Sequence, residues 1–242
     1  MSDLAEEMTR PERDRGFPPL RPKDAATIIL IDRASVEPKV LMGRRHERHK
    51  FMPGKFVFPG GRVDAQDRYV PVAGRLHPRT EARLMAQLRR PSRIRPRVLA
   101  VAAIREAFEE TGLLLGTKVA NAPKFPGGWT AFAAAGVQPS LDELHFIARA
   151  ITPPGRPRRF DTRFFAADAR TIAHRIEGVI GPDAEFVELV WVPIAAAREL
   201  DLPTITDVVL GDLEARIAAG FGHELPVPYY HRIRGRFVRE LL

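Results

Sequence analysis

The chain has 242 residues, 45% of them hydrophobic, and it carries a formal net charge of +8 with no cysteine. It is long enough for one domain with a substantial core, and the lack of thiols excludes disulfides and thiolate metal sites. The apolar run near its start, TIILI (27–31), is far too short to cross a membrane, and the first twenty residues contain no secretory signal. We therefore expect a cytoplasmic protein without a membrane partner.

The excess positive charge lies in one segment, residues 68–97. It contains nine arginines and a single acid, Glu81, whereas the rest of the chain has equal numbers of basic and acidic residues. A basic segment of this kind favours a polyanionic partner, either a phosphorylated ligand or a nucleic acid. The alternative is a solvated or partly disordered loop that is basic without binding anything.

The first quarter of the chain predicts an arm followed by strands. Residues 1–24 are charged and proline-rich, which is typical of a mobile arm. Residues 26–32 and 38–45 are β-branched or alternating runs and predict two strands joined by a polar turn. Residues 54–61 begin as a strand and end at a Pro-Gly-Gly turn. The basic segment that follows includes a candidate short helix, TEARLMAQLRR, ended by Pro91.

The second half predicts a hairpin, a strand and two helices. Residues 144–152 and 158–168 flank the turn segment PPGRP and indicate a long hairpin. Residues 184–194 predict a further strand. A helical pair over 195–200 and 206–219 follows it, and the remainder is a C-terminal tail.

The clearest element is a helix over residues 97–111, with Gly112 as its left-handed terminator. Glu106, Glu109 and Glu110 are spaced i, i+3, i+4 and therefore share one face of this helix. Like charges crowded in this way repel one another unless a positive group lies between them. The helix therefore predicts a cation-binding face.

Arg105 lies four residues before Glu109, so its guanidinium can pair with that carboxylate and hold its side chain. Several carboxylates on one helical turn suit hard divalent cations such as Mg²⁺ and Mn²⁺, which prefer oxygen ligands. Together with an upstream glycine-rich turn, they indicate chemistry on a diphosphate. The metal would screen the phosphate oxygens and lower the pKa of a bound water for attack on phosphorus.

The segment from Arg105 to Leu113, REAFEETGL, resembles the second half of the Nudix hydrolase signature, G-x5-E-x7-R-E-U-x-E-E-x-G-U, where U is a bulky aliphatic residue. Ala107 departs from it at the first U. The first half is displaced: Gly61 is followed after five residues by Asp67 in place of glutamate, and 37 residues then precede Arg105 where the family has seven. The motif is therefore split by an insertion of thirty residues, essentially the basic segment. A surface loop can hold such an insertion, because closure entropy grows slowly with length.

Residues 40–67 are similar to the segment that coenzyme A-hydrolysing Nudix enzymes carry before and into this motif, with an aliphatic strand, an arginine and F-P-G-G-x-x-D. The long insertion and the downstream RRFDTRFFAA are similar to the branch that includes the peroxisomal acyl-CoA diphosphatase. The resemblance covers roughly residues 25–220. It implies an α+β fold, an α/β/α sandwich with a mixed β-sheet between helices. Residues 25–242 would then be a single Nudix hydrolase domain that includes the insertion 68–97.

The same resemblance implies metal-dependent hydrolysis of a diphosphate linkage. The preferred substrate is CoA or an acyl-CoA, cleaved to 3′,5′-ADP and (acyl-)4′-phosphopantetheine, because its 3′-phosphate would give the basic insertion a ligand. The alternatives are ADP-ribose, a dinucleotide such as NADH, or a non-catalytic module that binds nucleic acid or a ligand. Nucleic acid is the less expected partner, since the basic segment lacks interleaved aromatic residues. A homodimer is left open.

The candidate site residues fall into three groups. The catalytic candidates are Arg105, Glu106, Glu109 and Glu110, with Glu106 or a later glutamate as the general base. The candidate ligands of Mg²⁺ or Mn²⁺ are the Gly61 carbonyl, Glu106, Glu109, Glu110 and Glu185. The candidates for substrate binding are Arg44, Arg45, Gly60 and Asp161.

Overall fold

The computed structural model describes residues 20–48, 52–88 and 91–242. The strands are β1 (Lys23–Asp32), β2 (Lys39–Arg45), β3 (Phe56–Val57), β4 (Gly60–Arg62), β5 (Leu113–Leu115), β6 (Thr117–Lys118), β7 (Val137–Gln138), β8 (His145–Ile151), β9 (Phe160–Asp168), β10 (Ile172–Arg175), β11 (Phe186–Pro193), β12 (Pro228–Ile233) and β13 (Arg236–Leu241). The α-helices are α1 (Pro78–Met85), α2 (Arg95–Thr111), α3 (Thr130–Ala134), α4 (Ile194–Ala197) and α5 (Thr204–Ala218). Three 3₁₀-helices span Ala65–Tyr69, Gly127–Trp129 and Ala169–Thr171.

Nine of these strands form one mixed sheet. Its main path runs β11-β2-β1-β9-β8-β12-β13, with β3 paired to β2 and β4 paired to β1. The β1/β9 and β8/β12 pairs are parallel, and the other pairs in the sheet are antiparallel. Strand β4 lies on β1 through the register Ala26↔Gly61 and Thr27↔Gly60, which places the Pro-Gly-Gly turn at the start of β1.

Helices cover both faces of this sheet, as predicted. Along β1, Ile28 and Leu30 point into a core shared with α2, whereas Ile29 and Ile31 point into a second core shared with α5. Because both faces are buried, β1 is a continuous apolar run and does not alternate with polar residues. The result is an α/β/α sandwich with a mixed sheet. None of the described helices combines the length and apolar character that a membrane crossing requires.

The main predicted strands and helices are observed, but several predictions differ from the structure. The short helix predicted to run to Pro91 ends at Met85, where Ala86 turns to an extended conformation. Strands β5, β6, β7 and β10 and helix α3 were not predicted. The hairpin is confirmed as the antiparallel pair β8/β9, in which Ile151 lies opposite Asp161. Strand β1 begins at Lys23, inside the segment 1–24 that was predicted to be an arm, and residues 1–19 of that segment lie outside the described residues. The C-terminal tail was predicted without structure, but it forms the hairpin β12/β13 at the edge of the sheet.

The described part of the insertion 68–97 is packed against the domain. Its apolar side chains Val70, Leu76 and Leu84 are buried in the core beneath α2. Arg83 donates from Nη1 to the His223 carbonyl at 2.5 Å and from Nη2 to the Glu224 carbonyl at 2.7 Å. The prediction of a merely solvated loop is therefore wrong for these residues, whereas a polyanionic partner stays a prediction.

Three histidines from distant segments form what we call the imidazole stack. The rings of His77 and His223 lie 4.2 Å apart, and those of His223 and His145 lie 3.9 Å apart, both pairs nearly parallel. Thr80 Oγ1 lies 3.2 Å from His223 Nδ1 and joins α1 to this contact. The stack therefore links the insertion to the sheet through the loop that follows α5.

Candidate active site

Arg105, on α2, brings the candidate side chains together. Its Nε donates to Asp67 Oδ1 at 2.9 Å. Its Nη1 donates to Glu106 Oε1 and Glu109 Oε2, both at 2.8 Å, and its Nη2 donates to the Arg62 carbonyl at 2.7 Å. Burial alone would lower the pKa of Arg105, but the hydrogen bond to Asp67 and the charges of the two glutamates raise it. The guanidinium is therefore a permanent cation among carboxylates.

Asp67 makes the contact that rejoins the two halves of the split motif. Its side chain is fully buried, in the 3₁₀-helix Ala65–Tyr69, where its Oδ2 accepts the Asp64 N–H at 2.8 Å. Although aspartate is one methylene shorter than glutamate, both of its oxygens reach Arg105, at 2.9 and 3.3 Å. The 68–97 insertion therefore leaves the glycine turn and α2 in direct contact.

Two glycines allow the turn to approach α2 and β1 closely. A Cβ on Gly61 would lie 2.5 Å from the Glu106 carboxyl carbon, and a Cβ on Gly60 would collide with Thr27. The Gly60 N–H donates to Glu110 Oε2 at 2.9 Å. Gly61, a predicted metal ligand, therefore lies against a predicted ligand carboxylate. Gly60 was predicted to bind substrate, but its N–H already donates to Glu110.

Two of the carboxylates carry charge that the protein compensates poorly. Burial raises the pKa of Glu106, even though the neighbouring Arg105 opposes the shift. Burial also raises the pKa of Glu110 well above its usual range; the negative charge of Glu185 adds to this shift, and the hydrogen bond from Gly60 opposes it. Both groups would ionise more readily beside an additional cation.

Glu185 and the two predicted phosphate-binding arginines meet where β11 pairs with β2. Arg45 Nη2 lies 2.6 Å from Glu185 Oε1, and Arg44 Nε lies 2.9 Å from Glu188 Oε2. Glu185 lies just before β11 and is close enough to Glu110 to affect its pKa. The structure therefore brings Glu185 to the edge of the cluster formed by Glu106, Glu109 and Glu110, with Arg45 beside it.

Asp161 is not among the residues that Arg105 gathers. It is buried on β9, and Arg149 binds both of its carboxylate oxygens at 2.8 Å. The fully buried Arg163 lies 3.2 Å from Asp161 Oδ1 and donates to Asp24 at 2.8 Å. Tyr229 covers the Arg149 guanidinium at 4.4 Å. These contacts favour a structural ion-pair network over the predicted substrate contact.

The carboxylates suit a hard divalent cation by their chemistry, but they are not arranged around one. In the part of the chain that the structure describes, no group of three or more histidines and acids is positioned to hold a metal ion. The reason is that Glu106 and Glu109 both turn toward Arg105, whereas Glu110 turns toward Gly60. All the available donors are oxygens, which Mg²⁺ and Mn²⁺ prefer. The residues therefore fit such an ion once these side chains rotate.

Sequence reasoning missed a second glycine pair beside the site. A Cβ on Gly128 would lie 3.9 Å from Glu109 Oε1. The signal was available in the sequence, because Phe-Pro-Gly-Gly occurs twice, at 58–61 and at 125–128. The second copy lies outside the Nudix signature, so the resemblance does not single it out.

Comparisons with known proteins agree with this geometry. No protein-family profile matches the chain. Over 155 residues the chain is 32% identical to the Caenorhabditis elegans protein named "Putative nudix hydrolase 7"; this match covers 59% of the chain and 43% of the relative, so the chain matches less than half of that protein's length. The crystal structure of a NUDIX hydrolase from Alicyclobacillus acidocaldarius is 28% identical with a TM-score of 0.59, and the match covers 81% of this chain and 92% of that one. The α/β/α sandwich is therefore the Nudix fold, and the sequence similarities support the Nudix hydrolase family.

Proposed function

We propose that this chain is a metal-dependent Nudix pyrophosphohydrolase that cleaves the diphosphate linkage of a nucleoside diphosphate derivative. The observation that carries the proposal is the set of contacts around Arg105, which joins Asp67 to Glu106 and Glu109 across the insertion. Several acids on one helical turn are the oxygen ligands that a divalent cation needs for chemistry on a diphosphate. The similarity to two Nudix hydrolases supports the same activity.

The metal, Mg²⁺ or Mn²⁺, would be held by Glu106, Glu109 and Glu110, with Glu185 and the Gly61 carbonyl as further ligands. When bound, such an ion screens phosphate oxygens and lowers the pKa of a coordinated water. The side chains of this chain supply the rest. Arg105 keeps Glu106 and Glu109 beside the site until an ion takes their oxygens, and either Glu106 or Glu185 would accept the proton of the attacking water.

The preferred substrate is CoA or an acyl-CoA, which would yield 3′,5′-ADP and a 4′-phosphopantetheine. Support comes from the segment 40–67, which is similar to that of coenzyme A-hydrolysing Nudix enzymes. Arg83, however, already binds backbone carbonyls, so it is not the group that would hold a 3′-phosphate. ADP-ribose and NADH present the same linkage and are the alternative substrates.

The test is product identification by mass spectrometry on purified protein. CoA, an acyl-CoA, ADP-ribose, NADH and a capped RNA would each be supplied with Mg²⁺ or Mn²⁺. Release of 3′,5′-ADP from the CoA compounds alone would support the preferred substrate. Cleavage of ADP-ribose or NADH instead would retain the enzyme and reject CoA. Failure to cleave any of them would overturn the proposal and favour a binding module.

A pair of matched variants tests the site. Glu109→Gln keeps the size and a hydrogen-bond acceptor for Arg105 but removes the charge, so we expect kcat to fall by about 100-fold or more. Glu214→Gln makes the same change on the exposed surface of α5 and should leave kcat unchanged. If Glu109→Gln keeps most of its activity, this assignment of the site is wrong.

A further inference from the structure

Gly127 and Gly128 lie beside the candidate catalytic carboxylate Glu109. A Cβ on Gly128 would point toward Glu109 Oε1 and stop 3.9 Å from it, whereas a Cβ on Gly127 would meet no described atom within 4 Å. Both glycines are exposed, in the 3₁₀-helix Gly127–Trp129. A side chain at position 128 would therefore project toward the carboxylates.

The protein itself does not require glycine at either position. Neither residue has the positive φ that favours glycine. The contrast is with Gly60 and Gly61, where atoms of the protein exclude a Cβ. Ordering a glycine costs more conformational entropy than ordering an alanine, so an unneeded pair reduces stability. The space beside Glu109 is therefore kept open at a small cost in stability.

Aromatic packing fixes this pair in position. Trp129 and Phe132 are almost fully buried, with ring centroids 4.8 Å apart. Phe108, the residue before Glu109, packs edge-on against Phe132 at 5.5 Å. Phe125, on the other side of the glycines, stacks on Trp129 at 6.5 Å. Since the glycines lie between anchored aromatic residues, their distance from Glu109 is set by a rigid contact.

We infer that Gly127 and Gly128 are substrate-binding residues that form a wall without side chains, along which the diphosphate-bearing part of the substrate lies as it reaches Glu109. This inference rests on the proposed function. It explains why a second Phe-Pro-Gly-Gly segment lies beside Glu109. The first copy admits the protein's own helix, and the second admits the ligand.

The test compares Gly128→Ala and Gly128→Val with the control Gly211→Ala. The Cβ of the control would also lie 3.9 Å from its nearest neighbour, Arg198, but on α5. For each substrate that the wild type hydrolyses, we expect Gly128→Val to raise KM about tenfold, with kcat within about twofold and an unfolding temperature no lower than that of the wild type. Gly128→Ala should have a smaller effect in the same direction. Gly211→Ala should leave KM unchanged.

An unchanged KM in Gly128→Val would overturn the inference, as would a fall in kcat at constant KM, because that result indicates a disturbed Glu109. If the wild type hydrolyses no diphosphate, the proposed function fails separately. The role of the glycine pair is then tested by measuring the affinity for ADP by calorimetry in the presence of Mg²⁺. About tenfold weaker binding to Gly128→Val supports the wall, whereas equal affinity, or no binding to the wild type, overturns it.

Discussion

Replacing Asp67 with alanine should destabilise the whole domain, although the residue lies at the start of an insertion. The substitution removes two charge-assisted hydrogen bonds to Arg105, at 2.9 and 3.3 Å, and one to the Asp64 N–H at 2.8 Å. The Asp67 carboxylate is fully buried, so water cannot replace the lost acceptor without entering the contact between the glycine turn and α2. The turn and the helix should therefore separate more readily.

The magnitude follows from what Arg105 retains. Breaking a buried ion pair completely costs about 3–5 kcal/mol, because one charge is left uncompensated. Arg105 would keep Glu106, Glu109 and the Arg62 carbonyl, so the loss should be smaller. Because these remaining contacts offset much of the loss, we expect a net loss of about 2–3 kcal/mol, comparable to that of a single charge-assisted hydrogen bond. The ratio of folded to unfolded protein would fall roughly 30- to 150-fold.

The assay is urea unfolding followed by circular dichroism at neutral pH. The control is Asp201→Ala, which removes a carboxylate that pairs with Lys55 at 2.6 Å but is 72% exposed. An exposed pair contributes at most about 1 kcal/mol, so the control should unfold close to the wild type. If Asp67→Ala loses less than about 1 kcal/mol, or no more than the control, Asp67 does not join the two halves of the motif.

Two further predictions concern charges elsewhere in the domain. Asp161→Asn removes the negative charge that the buried Arg149 and Arg163 share, and it should lower the free energy of unfolding by about 3–5 kcal/mol in the same urea assay. The control Asp183→Asn, at a side chain that is 93% exposed, should change this free energy little. Equal effects of the two substitutions would refute the structural role of Asp161. Burial, reinforced by the adjacent rings of the imidazole stack and nearby arginines, lowers the pKa of His145 to about 3, below the value of about 6.5 in the unfolded chain. The unfolded state therefore takes up the proton first, so the contribution of His145 to stability is complete above about pH 6.5. The free energy of unfolding should fall by up to about 1.4 kcal/mol per pH unit as the pH drops toward 3. If the free energy of unfolding of His145→Phe falls with pH as steeply as that of the wild type, this explanation is wrong.

The helix and its carboxylates were predictable because their evidence is local. The i, i+4 spacing predicted the contact between Arg105 and Glu109, which the structure confirms at 2.8 Å. Gly112 was predicted to end the helix in a left-handed conformation, and its φ of 75° and its N–H bond to the Phe108 carbonyl confirm this. Helix periodicity and capping depend on residues a few positions apart, so a single sequence contains the information.

Contacts between distant segments could not be predicted in the same way. Arg44 and Arg45 were assigned to phosphate binding, whereas the structure pairs them with Glu188 and Glu185. Those partners are about 140 residues away, and they meet only through the register of β2 against β11. No local pattern determines that register, because it depends on how the whole sheet assembles.

The C-terminal hairpin was missed for a related reason. Strands β12 and β13 turn at Arg234 and Gly235, both with positive φ, and the first of these is an unusual residue for such a turn. Strand β12 then joins the sheet by parallel pairing with β8, at Tyr229 and Tyr230. Asp212 on α5 accepts the Tyr230 hydroxyl, at 2.6 Å, which attaches the hairpin to that helix. A strand whose place depends on a partner eighty residues earlier carries only a weak local signal.

The basic insertion shows where a count of charges can mislead. Arg97 donates to the carbonyls of Arg68 and Val70 and so holds the start of the insertion to the N-terminal turn of α2, whereas Arg95 pairs with Asp24 on β1. A carbonyl satisfies the hydrogen bonds of a guanidinium but leaves its positive charge in place. The field that attracts a polyanion therefore persists around the insertion, whereas specific contact with a phosphate would require one of these arginines to give up a structural bond. We accordingly expect the insertion to speed the encounter with an anionic substrate, in a way that added salt suppresses.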